Sequence, residues 1–388
     1  IKAYDWNNAD KKEETFTEST KVAVSGGTFS SAVPANLCAA GYEPTGNAET
    51  GYTVGKAKVA EYNGKQYDSL QAAIDEAAKY SGSQTVKLLG NLTITETVNY
   101  VKVNANSVVL DLNGYTLTGK GCRALQINKG NLYLENGTVT STGIEDSSSV
   151  IRIGSNDEVY NGANPMLYMR NGAKVLAPDS YGVTIFGSAT RGEKLKVMSN
   201  AEIIATGPSP AISGNGGANY NTDDRTSGWK AEEIIIGENA VISATNNYAI
   251  YHPECGTMNI QGGTIIGKGG IQMCSGTLTI SGSPKIEALG KADHETGAAG
   301  PIYDVAAISV VNRSYPGGAP VVTIKGTPTV TANEGEVIHA YTWSNNAESE
   351  WAEAGDYINV SGGTYNKTFN ETYLAADCTL KANSENGY

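Results

Sequence analysis

The stretch Leu132-Tyr133-Leu134-Glu135-Asn136-Gly137, continued by Thr138-Val139-Thr140, decides the fold class of this 388-residue chain. Apolar and polar residues alternate on both sides of an Asn-Gly pair, and a period of two is the signature of a β-strand with one buried face. The same phrase, two short strands joined at a Gly or Asn corner and then a third strand, recurs about nine times. Further examples of its first strand and corner stand at 109–114, 167–172, 258–263, 278–282 and 322–326.

Three short strands repeated in the same order predict a chain that coils. We predict an all-β fold, a right-handed parallel β-helix with three strands in each rung. The inward Leu, Ile and Val side chains of each rung would stack on the rung below at about 4.8 Å. Gly or Asn at each corner would take the left-handed backbone conformation, which other residues avoid.

A second interpretation starts from the same corners. Asn-Gly between alternating strands is also the strongest hairpin signal, and a series of hairpins would give β-sandwiches of the immunoglobulin type. The β-helix is favoured because the phrase recurs in order, whereas the strands of a sandwich need not resemble one another.

One segment departs from the strand pattern and predicts a helix over 68–80. Leu70, Ala73, Ile74 and Ala77 fall on one helical face. Asp68 or Ser69 can cap it, with Gln71 completing a capping box if Asp68 is the cap. Because a solenoid leaves the core and strand edges of its terminal rung open, we interpret this helix as a lid on the first rung.

The two ends of the chain resemble each other. Ile1-Lys2-Ala3-Tyr4-Asp5-Trp6 reappears as Ile338-His339-Ala340-Tyr341-Thr342-Trp343, and a constant offset of 336 then joins 24–52 to 360–388. Such a period predicts a tandem array of modules. We therefore divide the chain into the end of a preceding repeat at 1–56, a β-helix at 57–366 and the start of the next connector at 367–388.

Composition excludes several classes of partner. The net charge is −12 and no Lys/Arg run is present, which argues against nucleic acid, and no apolar stretch approaches a membrane span. We expect a module that is monomeric within its array and inserts in no membrane. The five Cys residues are scattered without a CxxC pair, so we expect free thiols and neither metal nor cofactor. A bond between Cys255 and Cys274 stays possible.

The string Tyr67-Asp68-Ser69-Leu70-Gln71-Ala72-Ala73-Ile74, followed by Val109-Leu110-Asp111-Leu112-Asn113-Gly114, resembles the opening of pectate-lyase-like β-helices in large secreted surface proteins of gut-dwelling Gram-positive bacteria. The Ser-Gly-Gly-Thr-Phe phrase at 25–29 is similar to the connectors between their modules. The resemblance implies an architecture and an extracellular or wall-associated location, but no activity, because this fold hosts lyases, hydrolases and adhesins alike. Asp111, Glu135 and Arg170 occupy equivalent places, and their mixed charges do not suit a calcium cluster.

Long loops at 155–164, 214–231, 290–304, 312–319 and 344–356 carry the remaining candidates, except Trp343, which directly precedes the last loop. Paired carboxylates can cleave glycosidic bonds, and neighbouring aromatic rings can stack on sugars. The catalytic alternative rests on Asp223, Asp224, Arg225, His294 and Glu295. The candidates for ligand binding are Tyr220, Trp229, Tyr303 and Trp343.

The sequence favours a non-catalytic cell-surface or secreted module over an enzyme. An adhesin, stalk or glycan- and protein-binding scaffold fits the tandem period, the modest charge and the lack of a convergent catalytic set. Its expected partners are host or plant glycans or surface proteins. The alternative is a polysaccharide lyase or glycoside hydrolase acting at the loop-lined edge. Recurring tyrosines, among them Tyr133, Tyr168, Tyr248 and Tyr251, predict a binding platform.

Overall fold

The computed structural model describes residues 1–15, 22–95, 100–104, 106–145, 148–187, 189–190, 192–214, 233–290, 304–315, 317–382 and 387–388. This part of the chain is mostly β, with 48% of residues in strands and one α-helix. The strands form sheets of 12 and 18 strands, a three-stranded sheet and a two-stranded hairpin. Parallel sheets that curl are therefore the basis of the fold, in agreement with the strand pattern.

We call the 12-stranded sheet the first ladder. A pass is the stretch of chain from one parallel strand of this ladder to the next, and each pass contributes one strand to the ladder. Each of its parallel strands pairs with the first strand of the next pass, as Asn131–Glu135 does with Met166–Met169. The parallel strands are Gln84–Leu88, Ser107–Asp111, Asn131–Glu135, Met166–Met169, Lys194–Val197, Glu233–Ile236, Thr257–Ile260, Thr277–Ile280, Val321–Ile324 and Ile358–Val360. The antiparallel hairpin Ala60–Tyr62 and Lys65–Tyr67 closes one edge of this sheet.

The 18-stranded sheet contains two further parallel ladders, which merge where the long strands Val241–His252 and Thr264–Met273 run through both. The other strands of the second ladder are Leu92–Ile94, Thr116–Lys120, Thr138–Thr142, Lys174–Ala177, Glu202–Ala205, Lys285–Ala288, Thr329–Ala332 and Thr364–Tyr365. The other strands of the third ladder are Val101–Val103, Leu125–Ile127, Ser149–Ile153, Tyr181–Ile185, Ile212–Gly214, Ile308–Asn312 and Ile338–Ser344. Ala347–Glu350 pairs antiparallel with the last of these.

The core consists of apolar side chains stacked at the same place in successive strands. In the first ladder Leu110 pairs with Leu134, Leu134 with Met169 and Met169 with Val197, and all four are fully buried. Burying one such side chain stabilises the fold by about 1.5–3 kcal/mol. The stack makes each pass depend on its two neighbours.

The Asn-Gly corners separate ladders and do not close hairpins. Asn113, Asn136 and Asn171 have φ values of 54°, 56° and 51°, in the left-handed region. The strand before each corner belongs to the first ladder and the strand after it to the second, so the two do not pair with each other. The sandwich interpretation is therefore wrong, and the Asn corners predicted from the sequence take the expected conformation.

Replacing Asn136 by valine should lower the free energy of unfolding by about 1–2 kcal/mol, because a β-branched residue is strained in the left-handed region. Asn136 is exposed, so loss of burial does not contribute. Asn136→Gly is the matched control, since it also loses the Nδ2 hydrogen bond to Asp111 Oδ1 (3.2 Å) but tolerates the positive φ. Urea unfolding should separate the two variants, and equal losses would contradict a conformational origin.

The helix spans Leu70–Ala77, two residues later at its start and three residues earlier at its end than predicted. Ser69 is its N-cap, with Oγ accepting from the backbone N–H of Ala72 at 3.3 Å. The Asp68 capping box does not form, because the Gln71 amide bonds both backbone groups of Lys102, at 2.7 and 2.9 Å. Gln71 thereby covers the open edge of Val101–Val103, which is the first strand of the third ladder. Leu70, Ala73, Ile74 and Ala77 are buried as predicted.

The two copies of the repeated sequence at the chain ends have the same local structure. Tyr4–Asn7 and Lys12–Thr15 form a hairpin in which Trp6 faces Glu13. In the hairpin of Ile338–Ser344 with Ala347–Glu350, Trp343 faces Glu348. A basic side chain reaches the facing glutamate in both hairpins: Lys2 pairs with Glu13, and His339 Nε2 lies 3.2 Å from Glu348 Oε1.

The connectors that follow these hairpins also correspond. Val24 bridges Cys38 in one copy and Val360 bridges Leu374 in the other, next to the 3₁₀ helices Ala35–Leu37 and Glu371–Tyr373. In the first copy Gly27–Phe29, Tyr42–Asn47 and Gly51–Lys56 form the three-stranded sheet, with Phe29 opposite Tyr52. Tyr365 and Tyr388 exchange two backbone hydrogen bonds of 2.6 Å at the corresponding place. Two further 3₁₀ helices span Glu158–Tyr160 and Ala354–Asp356.

In the described part of the chain no helix is both long and apolar enough to cross a membrane.

Candidate ligand-binding surface

The outer face of the first ladder carries an aromatic and cationic platform, formed by Tyr133, Tyr168 and Arg170. Tyr133 and Tyr168 stand at paired positions of neighbouring strands, and their ring centroids are 5.7 Å apart. The Arg170 guanidinium carbon lies 5.1 Å from the centroid of Tyr133 and 5.8 Å from that of Tyr168, within the range of cation–π attraction. All three side chains are half-buried, so part of each contacts solvent.

A strip of hydrogen-bonded carboxylates borders this platform. Glu135 Oε2 accepts from Arg170 Nε and from Asn171 Nδ2, both at 2.9 Å. Asp111 Oδ1 accepts from the backbone N–H of Asn113 at 2.8 Å and from Asn136 Nδ2. These two carboxylates hold the platform and the corners in place through their hydrogen bonds. They do not form the pair of opposed carboxylates that cleavage of a glycosidic bond requires. The geometry suits binding of a flat ligand.

The sequence signal for the platform is the spacing of its residues from the Asn-Gly corners. Tyr133 and Tyr168 each stand three residues before an Asn-Gly corner, so equal spacing from the corner puts them in register. Arg170 takes the place after Met169 that Glu135 takes after Leu134. The equivalence of Asp111, Glu135 and Arg170 predicted from the sequence holds, but their role beside two aromatic rings is visible only in the structure.

Other predicted tyrosines lie inside the protein. Tyr248 is 1% exposed and Tyr251 is 6% exposed, so neither presents a ring face to a ligand. Tyr251 packs with Cys274, Val311, Tyr341 and Trp343, and its hydroxyl lies 3.3 Å from that of the loop residue Tyr315. The prediction of one continuous tyrosine surface is wrong for these two, because the alternation identifies the side of a strand but not what covers it.

Most of the predicted site residues lie outside the described residues. Tyr220, Asp223, Asp224, Arg225 and Trp229 fall in 215–232, and His294, Glu295 and Tyr303 fall in 291–303. Trp343 is described, and its ring is 9% exposed within an apolar cluster. The other members of that cluster are Tyr251, Cys274, Val311 and Tyr341, with Tyr315 packed against it.

A polar network crosses the outer side of the third ladder. Asp304 Oδ2 accepts from Ser309 Oγ at 2.6 Å and lies 3.0 Å from His339 Nδ1. Burial alone would lower the pKa of His339, but the hydrogen bond to Asp304 and the charges of Asp304, Glu336 and Glu348 together outweigh burial and raise it. Ser309 donates to Asp304 and not to His339, so no nucleophile–base pair is formed. The network ties the hairpin at 338–350 to the preceding pass.

Buried thiols and phenols nearby are inert. Burial raises the pKa of Cys274 to about 12, and the thiolate that reacts as a nucleophile is then absent at neutral pH. Arg313 Nη1 donates to the hydroxyls of Tyr251 and Tyr315, at 3.0 and 3.1 Å. No disulfide joins any two of the five cysteines, Cys255 and Cys274 included. Among the described residues no group of three His, Cys, Asp or Glu side chains could hold a metal ion.

The chain matches no family model, no curated protein and no solved structure. The resemblance to pectate-lyase-like surface modules therefore stays a prediction from the sequence, and a function has to be argued from the residues themselves.

Proposed function

We propose that the chain is a non-catalytic, cell-surface or secreted module that acts as a scaffold and binds glycans or proteins on the outer face of its first ladder. The observation that carries this proposal is the platform of Tyr133, Tyr168 and Arg170 on a rigid parallel sheet. The tandem period of the sequence supports a role in a larger array, as an adhesin or a stalk.

The finer architecture that we propose is a right-handed parallel β-helix with three strands in each rung. Its support is the order of pairing, since successive passes supply the first, second and third ladders in turn. Crossover connections between parallel strands of one sheet are almost always right-handed. Successive strands in a ladder would then be about 4.8 Å apart, which makes the outer face a regular surface for extended ligands.

Carbohydrate is the ligand class that fits the platform best. Aromatic rings pack against the apolar face of a sugar ring, and the polar end of a tyrosine side chain can bond the hydroxyls at the ring's edge. A guanidinium held by a carboxylate and two aromatic rings is fixed in place before a ligand arrives, so little conformational entropy is lost on binding.

A panel of immobilised host and plant glycans, together with capture of surface proteins, tests this role. The double variant Tyr133→Ala, Tyr168→Ala should bind at least about tenfold more weakly, a loss of about 1.4 kcal/mol. Tyr80→Ala is the matched control, because Tyr80 is 52% exposed at the end of the helix, away from the platform. Unchanged binding by the double variant would contradict the platform, and a wild-type chain that binds nothing would leave only the stalk role.

A separate assay tests whether the chain cleaves polysaccharides. Soluble acidic and neutral polysaccharides are incubated with the chain, and new reducing ends or unsaturated uronate absorbance are followed. We expect no turnover. Turnover that is abolished by Asp223→Ala or Asp224→Ala would contradict a non-catalytic module and favour the lyase or hydrolase alternative.

A further inference from the structure

The two repeated hairpins differ in how deeply their matching apolar side chains are buried. Ile338, Tyr341 and Trp343 are 1%, 1% and 9% exposed, whereas their counterparts Ile1, Tyr4 and Trp6 are 51%, 45% and 54% exposed. The hairpins have the same strand pairing and the same Trp opposite Glu. The same side chains are therefore packed at one end of the chain and lie in solvent at the other.

The structure shows what covers the buried copy. Ile338–Ser344 pairs in parallel with Ile308–Asn312, with Ile308 opposite Ile338 and Asn312 opposite Thr342. Tyr341 and Trp343 belong to one cluster with Tyr251, Cys274 and Val311. We call this surface, formed by the 308–312 strand edge and those three residues, the acceptor face.

We propose that the hairpin of residues 1–15 docks on the acceptor face of a second copy of this chain's 57–337 segment, positioned so that Ile1 follows the copy's Val337. Ile1, Tyr4 and Trp6 would take the places of Ile338, Tyr341 and Trp343. The inference rests on the proposed function as a module in an array and names the partner of each module end.

Charge supports this partner over an arbitrary apolar one. His339 is held between Asp304 and Glu348, with Nδ1 3.0 Å from the former and Nε2 3.2 Å from the latter. Lys2 stands at the position of His339, and it already pairs with Glu13, the counterpart of Glu348. A second copy would supply the missing carboxylate, its own Asp304, to the Lys2 ammonium.

The connector continues the same surface. Ile358 and Val360 are buried against Val322 and Ile324 of the preceding pass. Their counterparts Val22 and Val24 are only half-buried. A row of incompletely buried apolar side chains thus runs from the hairpin into the connector. Docking of a whole further pass would need such a row.

The test is a fusion in which a second copy of residues 57–337 is placed directly before Ile1 of the full chain. Amide hydrogen exchange of 1–15 is compared with that in the single chain, and residues 338–350 of the same molecule are the internal reference. We expect exchange in 1–15 to slow at least tenfold in the fusion. Tyr4→Ala with Trp6→Ala in the fusion should restore fast exchange without affecting 338–350.

A second readout does not depend on exchange rates. Lys2→Cys combined with Asp304→Cys in the added copy should form a disulfide in the fusion. Lys2→Cys combined with Lys12→Cys, without a cysteine at position 304, is the control pair and should not form this cross-link. Exchange in 1–15 that is equally fast with and without the added copy, without a cross-link, would overturn the proposal. Concentration-dependent protection of 1–15 in the single chain would assign the face to a dimer of whole chains and would also overturn it. Neither result depends on glycan binding, so this inference and the proposed function can fail separately.

Discussion

Trp343→Ala should lower the free energy of unfolding by about 3–5 kcal/mol, the usual cost of removing a large buried aromatic side chain. The ring is buried among Tyr251, Cys274, Val311 and Tyr341, so alanine would leave a cavity between the last hairpin and the pass beneath it. Urea unfolding followed by circular dichroism measures the loss. Hydrogen exchange of 338–350 locates it, because in a coiled chain each pass contacts mainly its neighbours.

Trp6→Ala is the matched control, since Trp6 stands at the same position of the other hairpin. Its ring is 54% exposed, so the substitution should change the free energy of unfolding by less than about 0.5 kcal/mol. Residue type, strand position and the facing glutamate are the same in both variants. If the two substitutions cost the same, burial by the preceding pass is not the source of the stability at Trp343.

Acidification should destabilise the protein through His252. This imidazole is 1% exposed at an inward position of the third ladder, opposite Met273, and its Nδ1 lies 3.3 Å from the carbonyl oxygen of Ser275. Burial lowers the pKa of His252 to about 4. Because the folded pKa lies below the ordinary 6.5, the stabilisation is complete above pH 6.5 and is lost as the pH falls toward 4. The loss amounts to about 3 kcal/mol.

His252→Leu isolates this effect, because the leucine side chain does not titrate. Below pH 6.5 the wild type should lose about 3 kcal/mol more free energy of unfolding than the variant, beyond the acid response that both share. His339→Gln is the control. The raised pKa of His339 stabilises the fold at low pH and loses that contribution as the pH rises above 6.5, so this variant should keep the acid response. Equal acid responses of His252→Leu and wild type would contradict the assignment.

The sequence was sufficient to predict features that repeat. The alternation around Leu134, the left-handed corner at Asn136 and the apolar face of the helix each follow from local rules that neighbouring passes reinforce. Asn-Gly was ambiguous between a corner and a hairpin, because the local backbone conformation is similar in both. Pairing of each strand with the next pass decided between them, and that pairing is a non-local contact.

Features that depend on loops could not be predicted in this way. Tyr251 and Tyr133 each follow an apolar residue on a strand, Ile250 and Leu132, but the loop residue Tyr315 packs against the first tyrosine, whereas the second remains at the surface. Gln71 fits a capping box in the sequence, and its actual partner, Lys102, is 31 residues away. Trp343 was expected to meet a ligand, since nothing in the sequence reveals that Val311 and Cys274 pack around its ring.

The parallel ladders also determine how the protein would respond to tension. Hydrogen bonds between passes point along the direction in which the passes are stacked, so a pull on the two ends loads a few bonds at a time and opens the outermost pass first. A short pass, such as the 24 residues that separate Ser107 from its partner Asn131, would release roughly 80 Å of extended chain as it opens, while the passes behind it stay paired. A chain of such units would lengthen in many small steps under flow, and the strain on each attachment point would rise slowly instead of all at once.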